Sequence, residues 1–413
     1  MRARIWQAVP VCLAFACLLL LSQALACGEE GNSRMRIRLL LLKDPYEAGA
    51  AAEFQKSEHS KETEQIDFAF WGESQGVVRY PELNRESEAV IVAVSGDSRL
   101  VFPNAGVLVS GEGGCLLGRE LAEALFGHPS AIGQTVTIGQ RKYKVEGMLD
   151  QAEQMVVIPA ESAASSPPKA GTEANQGTDG FLLDRVFLNI PEDVSQEEAV
   201  RQFSSEAGIT GEVIPVHWYL RWAKGAARLI PLLLYVALAA GLVKRVFRWK
   251  GKHGIAPALF AACVLGAAGI FVLGLSLDIP RDYLPAKWSD FEVWTGLWEQ
   301  KEKEWALLIR TEKSQAELWA CGVLNRTVWY SLGAAVLGAL AFRKLTVRRG
   351  STLFLLTAAS LLAAYLFLTV KQGVGPDLAK SRILWLFLPL CFTVKYLMNH
   401  FLPQPKSDAG EEK

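Results

Sequence analysis

Apolar residues are distributed unevenly along this chain. Ile5–Ala26 runs without a charge and follows Arg2 and Arg4. A hydrocarbon core of about 30 Å takes roughly 20 apolar residues in a helix, so residues 1–26 are expected to form an N-terminal membrane anchor. Ala24-Leu25-Ala26 before Cys27 also fits a signal-peptidase site, but the apolar run is longer than the core of an ordinary secretory signal. The remaining long runs lie in the C-terminal half. Leu229–Val243, Ile255–Leu277, Leu318–Phe342, Ser351–Val370 and Ile383–Leu402 predict spans at 226–245, 255–277, 318–342, 351–370 and 383–402, with a tail at 403–413. The first of these gains reach from Ala226, Ala227 and a snorkelling Arg228.

Between the first and second runs, residues 27–222 have the mixed composition of a water-soluble domain. Val90–Ser95 and Gly106–Ser110 read as short strands. Residues 160–180 are rich in Ser, Pro, Ala, Gly and Thr with no apolar period, which predicts a mobile loop dividing the domain into two lobes. The densest pattern lies before that loop. Cys115-Leu116-Leu117 predicts a strand, Gly118 a helix N-cap, and Leu121, Ala122, Leu125 and Phe126 the apolar face of a short helix closed by Gly127. Thr135–Ile138 and Lys142–Val145 alternate about Gly139-Gln140, the pattern of a β-hairpin. Beyond the loop, Arg185–Ile190 predicts a strand, Ser195 and Glu198 a capped helix, and Gly211–Val216 a returning strand. The expected fold class is therefore an α-helical transmembrane bundle of about six spans plus an α+β, two-lobed extracytoplasmic domain.

Charge fixes the expected orientation. Lys244, Arg245, Arg248, Lys250 and Lys252 fill one link between spans, and Arg343, Lys344, Arg348 and Arg349 fill another, with no acid in either. By the positive-inside rule both links, the N-terminal Arg pair and both termini face the cytoplasm, and the domain lies outside the membrane. Across all 413 residues the 43 basic and 43 acidic side chains cancel, which excludes the strong basic field of a nucleic-acid binder. The 50% apolar content is then an average over a soluble domain and lipid-facing helices.

The string Leu117–Leu149 followed by Val156–Pro159 carries a resemblance. Leu125-Phe126-Gly127, Gly133, Val136, Ile138, Gly139, Tyr143, Val145 and Gly147 fall on the pattern of the periplasmic core domain of MacB-type ABC transporter permeases. The resemblance implies a permease-like membrane subunit, a separate cytoplasmic ABC ATPase as partner, and a homo- or hetero-dimer. It also implies motion of the outer domain driven by the ATPase, rather than passage of substrate through the membrane. The two basic links are then the ATPase-facing surface: Lys244, Arg245, Arg248, Lys250, Arg343, Lys344, Arg348 and Arg349. The membrane half departs from the family. Such permeases carry three spans after the domain, where this chain predicts five and a longer outer loop at 278–327.

Catalytic chemistry is not written in the sequence. No G-x-x-x-x-G-K-[ST] loop is present, so ATP must act through a partner. The five histidines are scattered without metal-ligand spacing, the seven cysteines give no disulfide framework, and no G-x-S-x-G nucleophile turn occurs. The reading is of a protein without enzymatic activity, cofactor or metal. The loop at 278–327 is the remaining chemical feature. Phe291, Trp294, Trp298, Trp305 and Leu308 follow helical spacing around the charged run Glu299–Glu304, which predicts an amphipathic helix. Trp294, Trp298 and Trp305 would form an interfacial surface in the lipid headgroups or a groove for an apolar partner. A second functional reading keeps the domain and drops transport: a membrane-anchored binding or assembly factor of the cell envelope.

Overall fold

The computed structural model of the chain describes residues 2–31, 34–59, 66–102, 108, 113–149, 154–160, 182–191, 196–248, 256–273, 291–311, 313–372 and 382–400. They divide into two units. One comprises Arg34–Trp218 and Asp290–Trp319, and the other Met1–Ser33, Tyr219–Ser289 and Ala320–Lys413. In chain order the first elements are α1 (Arg2–Glu30), β1 (Ile37–Glu47), α2 (Ala48–His59), β2 (Asp67–Tyr80), β3 (Arg85–Gly96), α3 (Ser98–Val101), β4 (Gly114–Gly118), α4 (Arg119–Phe126), β5 (Thr135–Ile138), β6 (Arg141–Leu149) and β7 (Met155–Pro159). They are followed by β8 (Leu182–Asn189), α5 (Gln196–Glu206), β9 (Gly211–Ile214), α6 (His217–Arg248), α7 (Ala256–Leu273), α8 (Phe291–Arg310), α9 (Gln315–Lys344), α10 (Gly350–Gln372) and α11 (Arg382–His400).

The domain is organised on the β2–β3 hairpin, paired without interruption from Ala69↔Gly96 to Tyr80↔Arg85. Asn84 closes its turn at φ 50, a left-handed conformation that Asn tolerates. On its other edge β2 serves two neighbours. Asp67–Trp71 pairs with β8, which continues to β1 and β9, while Val78 and Arg79 pair with β5. The sheet order is β3-β7-β4-β6-β5-β2-β8-β1-β9, and the extra β2–β3 pairing closes the first six strands on themselves. One long strand thus joins the closed six strands to β8, β1 and β9, so the strands before and after the predicted dividing loop share one sheet. The pairs β3–β7 and β4–β6 are parallel and the rest antiparallel.

Both faces of this sheet are covered. Phe68, Phe70, Ile91 and Ala93 point into one core with α2, α4 and α5, while Ala69, Trp71, Val92 and Val94 point into another with Leu39, Phe187 and Ile214. Phe54 of α2, Phe68 and Phe70 of β2 and Phe203 of α5 form one aromatic cluster, with ring centroids 5.3–6.2 Å apart. That cluster fixes two helices against one strand.

In the other unit, α1, α6, α7, α9, α10 and α11 share a single apolar core containing Leu18, Tyr235, Leu265, Phe342, Leu368 and Phe392. Among the described residues three helices are long and apolar enough to cross a membrane: Ala8–Glu30, His217–Phe247 and Gly350–Thr369. Leu259–Val272 is a shorter apolar helix. Helix α9 falls below that level because Glu317, Asn325 and Arg326 dilute its first half, and α11 because of Arg382, Lys395 and Asn399. Small residues set close approaches in this core. A Cβ added at Gly269 would lie 2.6 Å from the ring of Tyr235, whose hydroxyl donates to the Leu265 carbonyl at 2.7 Å.

The fully buried Phe70 ring stands at the centre of the aromatic cluster. Phe70→Ala is therefore expected to destabilise the domain by about 3–5 kcal/mol, measured by chemical denaturation of the purified chain. A loss below 1 kcal/mol would show that the cluster does not organise this face.

Candidate functional site

The segment with the densest sequence pattern folds as its glycines dictate. Gly118 caps α4 in an extended conformation, and Gly127 ends it at φ 74 with its N–H on the Glu123 carbonyl at 2.8 Å. Gly133, at φ 88, donates to the Val145 carbonyl at 2.8 Å, and Gly139 turns the β5–β6 hairpin at φ 61. Each of these φ values is strained for any residue with a Cβ. The segment is attached to the domain's spine by Phe126, whose ring lies 4.5 Å from that of Tyr80. Tyr80 in turn donates its hydroxyl to Glu82 at 2.5 Å.

It matches the MacB-like periplasmic core domain, over residues 53–206. The matched stretch runs from α2 to the end of α5 and covers less than half of the chain. Among curated proteins no relative matches. The periplasmic region of MacB from Actinobacillus actinomycetemcomitans is similar at 13% identity and a TM-score of 0.33, over 43% of this chain and 88% of its own. The extracellular domain of the noncanonic ABC-type transporter YknZ from Gram-positive bacteria is similar at 14% identity and a TM-score of 0.31, over 43% of this chain and 97% of its own.

The MacB-like domain offers no reactive centre among its described residues. No group of His, Cys, Asp and Glu side chains is placed to hold a metal ion. Cys115 is fully buried, and burial, with Glu146 adding its charge, pushes its thiol up to about 12, so it stays protonated near neutrality. Burial also raises the Asp184 carboxyl, against the opposing pull of Arg185, whose Nη1 donates to it at 3.0 Å. All seven cysteines are unpaired with one another.

Helix α8, outside the matched stretch, packs on the same unit as the domain. Leu308 is buried, and Trp305 lies 6.2 Å from Trp218, centroid to centroid. Lys301 stands 5.4 Å above the Trp218 ring and holds both Glu304 oxygens at 2.8 Å, while Gln300 donates to Glu197 of α5 at 3.4 Å. The spacing of Trp294, Trp298 and Trp305 foretells this helix. It does not foretell the partner face, because Trp218 is remote in sequence. A capping box then starts α9: the Ser314 N–H donates to Glu317 at 2.9 Å, and the Glu317 N–H donates to Ser314 Oγ at 3.4 Å.

The predicted basic positions fall at one end of the helical unit. Lys244, Arg343, Lys344, Arg348 and Arg349 are exposed. Arg245 is half-buried and donates Nη1 to the Met398 carbonyl at 2.7 Å, so it ties α6 to α11. Arg248 is the last residue of α6, and Lys250 lies outside the described residues. The link between α9 and α10 is anchored by buried Leu345 and Val347, which leaves its arginines on the surface. Also outside the described residues are Ser195, most of the predicted strand Gly106–Ser110 and all but Ala160 of the 160–180 loop.

Truncation of the buried contact, Leu308→Ala, is expected to weaken the docking of α8 by about 2–5 kcal/mol. Hydrogen exchange across Phe291–Arg310 should then accelerate while the β2–β3 hairpin keeps its protection. Unchanged exchange in α8 would contradict the packing.

Proposed function

We propose that this chain is a permease-like membrane subunit in which a separate cytoplasmic ATPase moves an extracytoplasmic domain through a bundle of about six membrane helices. The observation that carries this reading is the pairing of the two helices that bound the domain in the chain, α1 before it and α6 after it. A Cβ on Gly28 would lie 3.6 Å from Lys224 Cα and 3.7 Å from Ala227, and one on Gly31 would lie 2.8 Å from Leu220. Any shift of one helix against the other therefore acts on both chain ends of the MacB-like domain at once.

Contacts within the bundle support six alternating spans. The C-terminal end of α1 meets the first half of α9 through Glu30 and Arg326, 3.9 Å apart. Arg382, opening α11, lies 5.5 Å from the ring of Phe271, near the end of α7. At the opposite end, Arg245 of α6 meets Met398 of α11, and Phe342, late in α9, lies 5.9 Å from Phe392, midway along α11. With Tyr365, late in α10, 6.5 Å from Trp385 near the start of α11, successive helices of the bundle run in opposite directions, as chain segments crossing a bilayer in turn must. The end that gathers Lys244, Arg343, Lys344, Arg348 and Arg349 is the cytoplasmic one by the positive-inside rule, which puts both termini in the cytoplasm.

That exposed basic surface is the ATPase-facing one. Neutralising charges at an interface rim slows association and weakens binding. Replacing Lys244, Arg343, Lys344, Arg348 and Arg349 together by Gln should reduce co-purification of an ABC ATPase about tenfold, the effect of roughly 1.4 kcal/mol. Arg245 is left intact because it holds α11. An ATPase retained equally by the variant, or none retained by the native chain, would refute the reading.

A further inference from the structure

Placed at 100° intervals, the residues of α8 fall into three sectors. Leu297, Lys301, Glu304 and Leu308 form the sector that packs on the domain, and Leu308 is only 2% exposed. Glu299, Lys303 and Arg310 form a charged sector. Beside the packed sector runs a line of Trp294, Trp298, Trp305 and Ile309, at helical spacings of four, seven and four residues. On this line Trp298 is 74% exposed, Ile309 62%, Trp305 45% and Trp294 37%. The docked helix thus leaves Trp298 and Ile309 mostly exposed, and Trp294 and Trp305 partly so with Trp305 also against Trp218, an apolar line that soluble surfaces seldom show without a use.

Three further facts select the occupant. Tryptophan is the side chain most suited to the headgroup layer, where its ring is half solvated. The charged run Glu299–Glu304 excludes α8 from the hydrocarbon, and Glu302, which borders the Trp line, restricts insertion to the shallow hydrated layer. Only residues 311–314 separate α8 from α9, a tether of at most about 14 Å, and the Ser314–Glu317 capping box fixes where α9 begins. The chain therefore cannot carry the end of α8 far from the bilayer surface that α9 enters.

We infer that the Trp294, Trp298, Trp305 and Ile309 line of α8 inserts in the headgroup layer of the outer leaflet, so that α8 straps the MacB-like domain to the lipid surface. The inference rests on α9 crossing the membrane, as proposed above. It assigns a role to the segment that departs from four-span permeases. The domain would move with its strap sliding on lipid, and motion away from the membrane would cost the burial of the Trp line.

The full chain carrying the photo-reactive residue p-benzoylphenylalanine at position 298, 309, 303 or 336 tests this in vesicles of equal parts phosphatidylethanolamine and phosphatidylglycerol. After irradiation, mass spectrometry should find lipid adducts at 298 and 309, none at 303 on the charged sector, and lipid adducts at 336 within α9. Lipid adducts at 336 with only protein adducts at 298 and 309 would overturn the inference and assign the line to a protein partner or a second copy. Equal lipid labelling at 303 and 298 would also overturn it. Loss of lipid labelling at 336 would instead overturn the reading of α9 as a span.

Discussion

The close packing of α1 on α6 through Gly28 and Gly31 is the constraint on which the rest of this molecule depends. In the chain, the MacB-like domain lies between these two helices. Glycine on one side and Ala227, Lys224 and Leu220 on the other allow backbone-level contact. Side chains of ordinary size there would separate the two helices.

The domain is stiffened by its sheet. Its β2–β3 hairpin is unbroken along its length, and β2 carries β8 on its first half and β5 on its second. With apolar cores on both faces, the strand cannot shift register without forcing Phe70 and Trp71 into the opposite, already filled core. The structure offers position and stiffness, and no cluster of reactive side chains among the described residues.

The legible parts of the fold were those where backbone geometry dictates residue type. Gly127, Gly133 and Gly139 adopt left-handed φ values, and the helix and hairpin between Gly114 and Leu149 could be placed from them. Strands β1 and β2 were not foreseen. Leu39–Leu42 and Phe68–Trp71 are buried on both faces, so they show a continuous apolar run without the period of two that marks a half-exposed strand. The apolar runs were legible, but among the described residues three helices reach full length and hydropathy against about six expected, α9 and α11 being diluted by charges and α7 being shorter. The Trp spacing gave helix α8, while its attachment through Trp218 depends on tertiary structure alone.

The account's central claim is that six helices cross the membrane in alternation, so that the domain's two attachment helices leave the membrane on the outer side. Reporter fusions after residues 28, 250, 300, 346 and 376 test it most directly. The account predicts outward signals at 28, 300 and 376 and inward signals at 250 and 346. An inward signal at 28 or 300, or an outward one at 250 or 346, would contradict it.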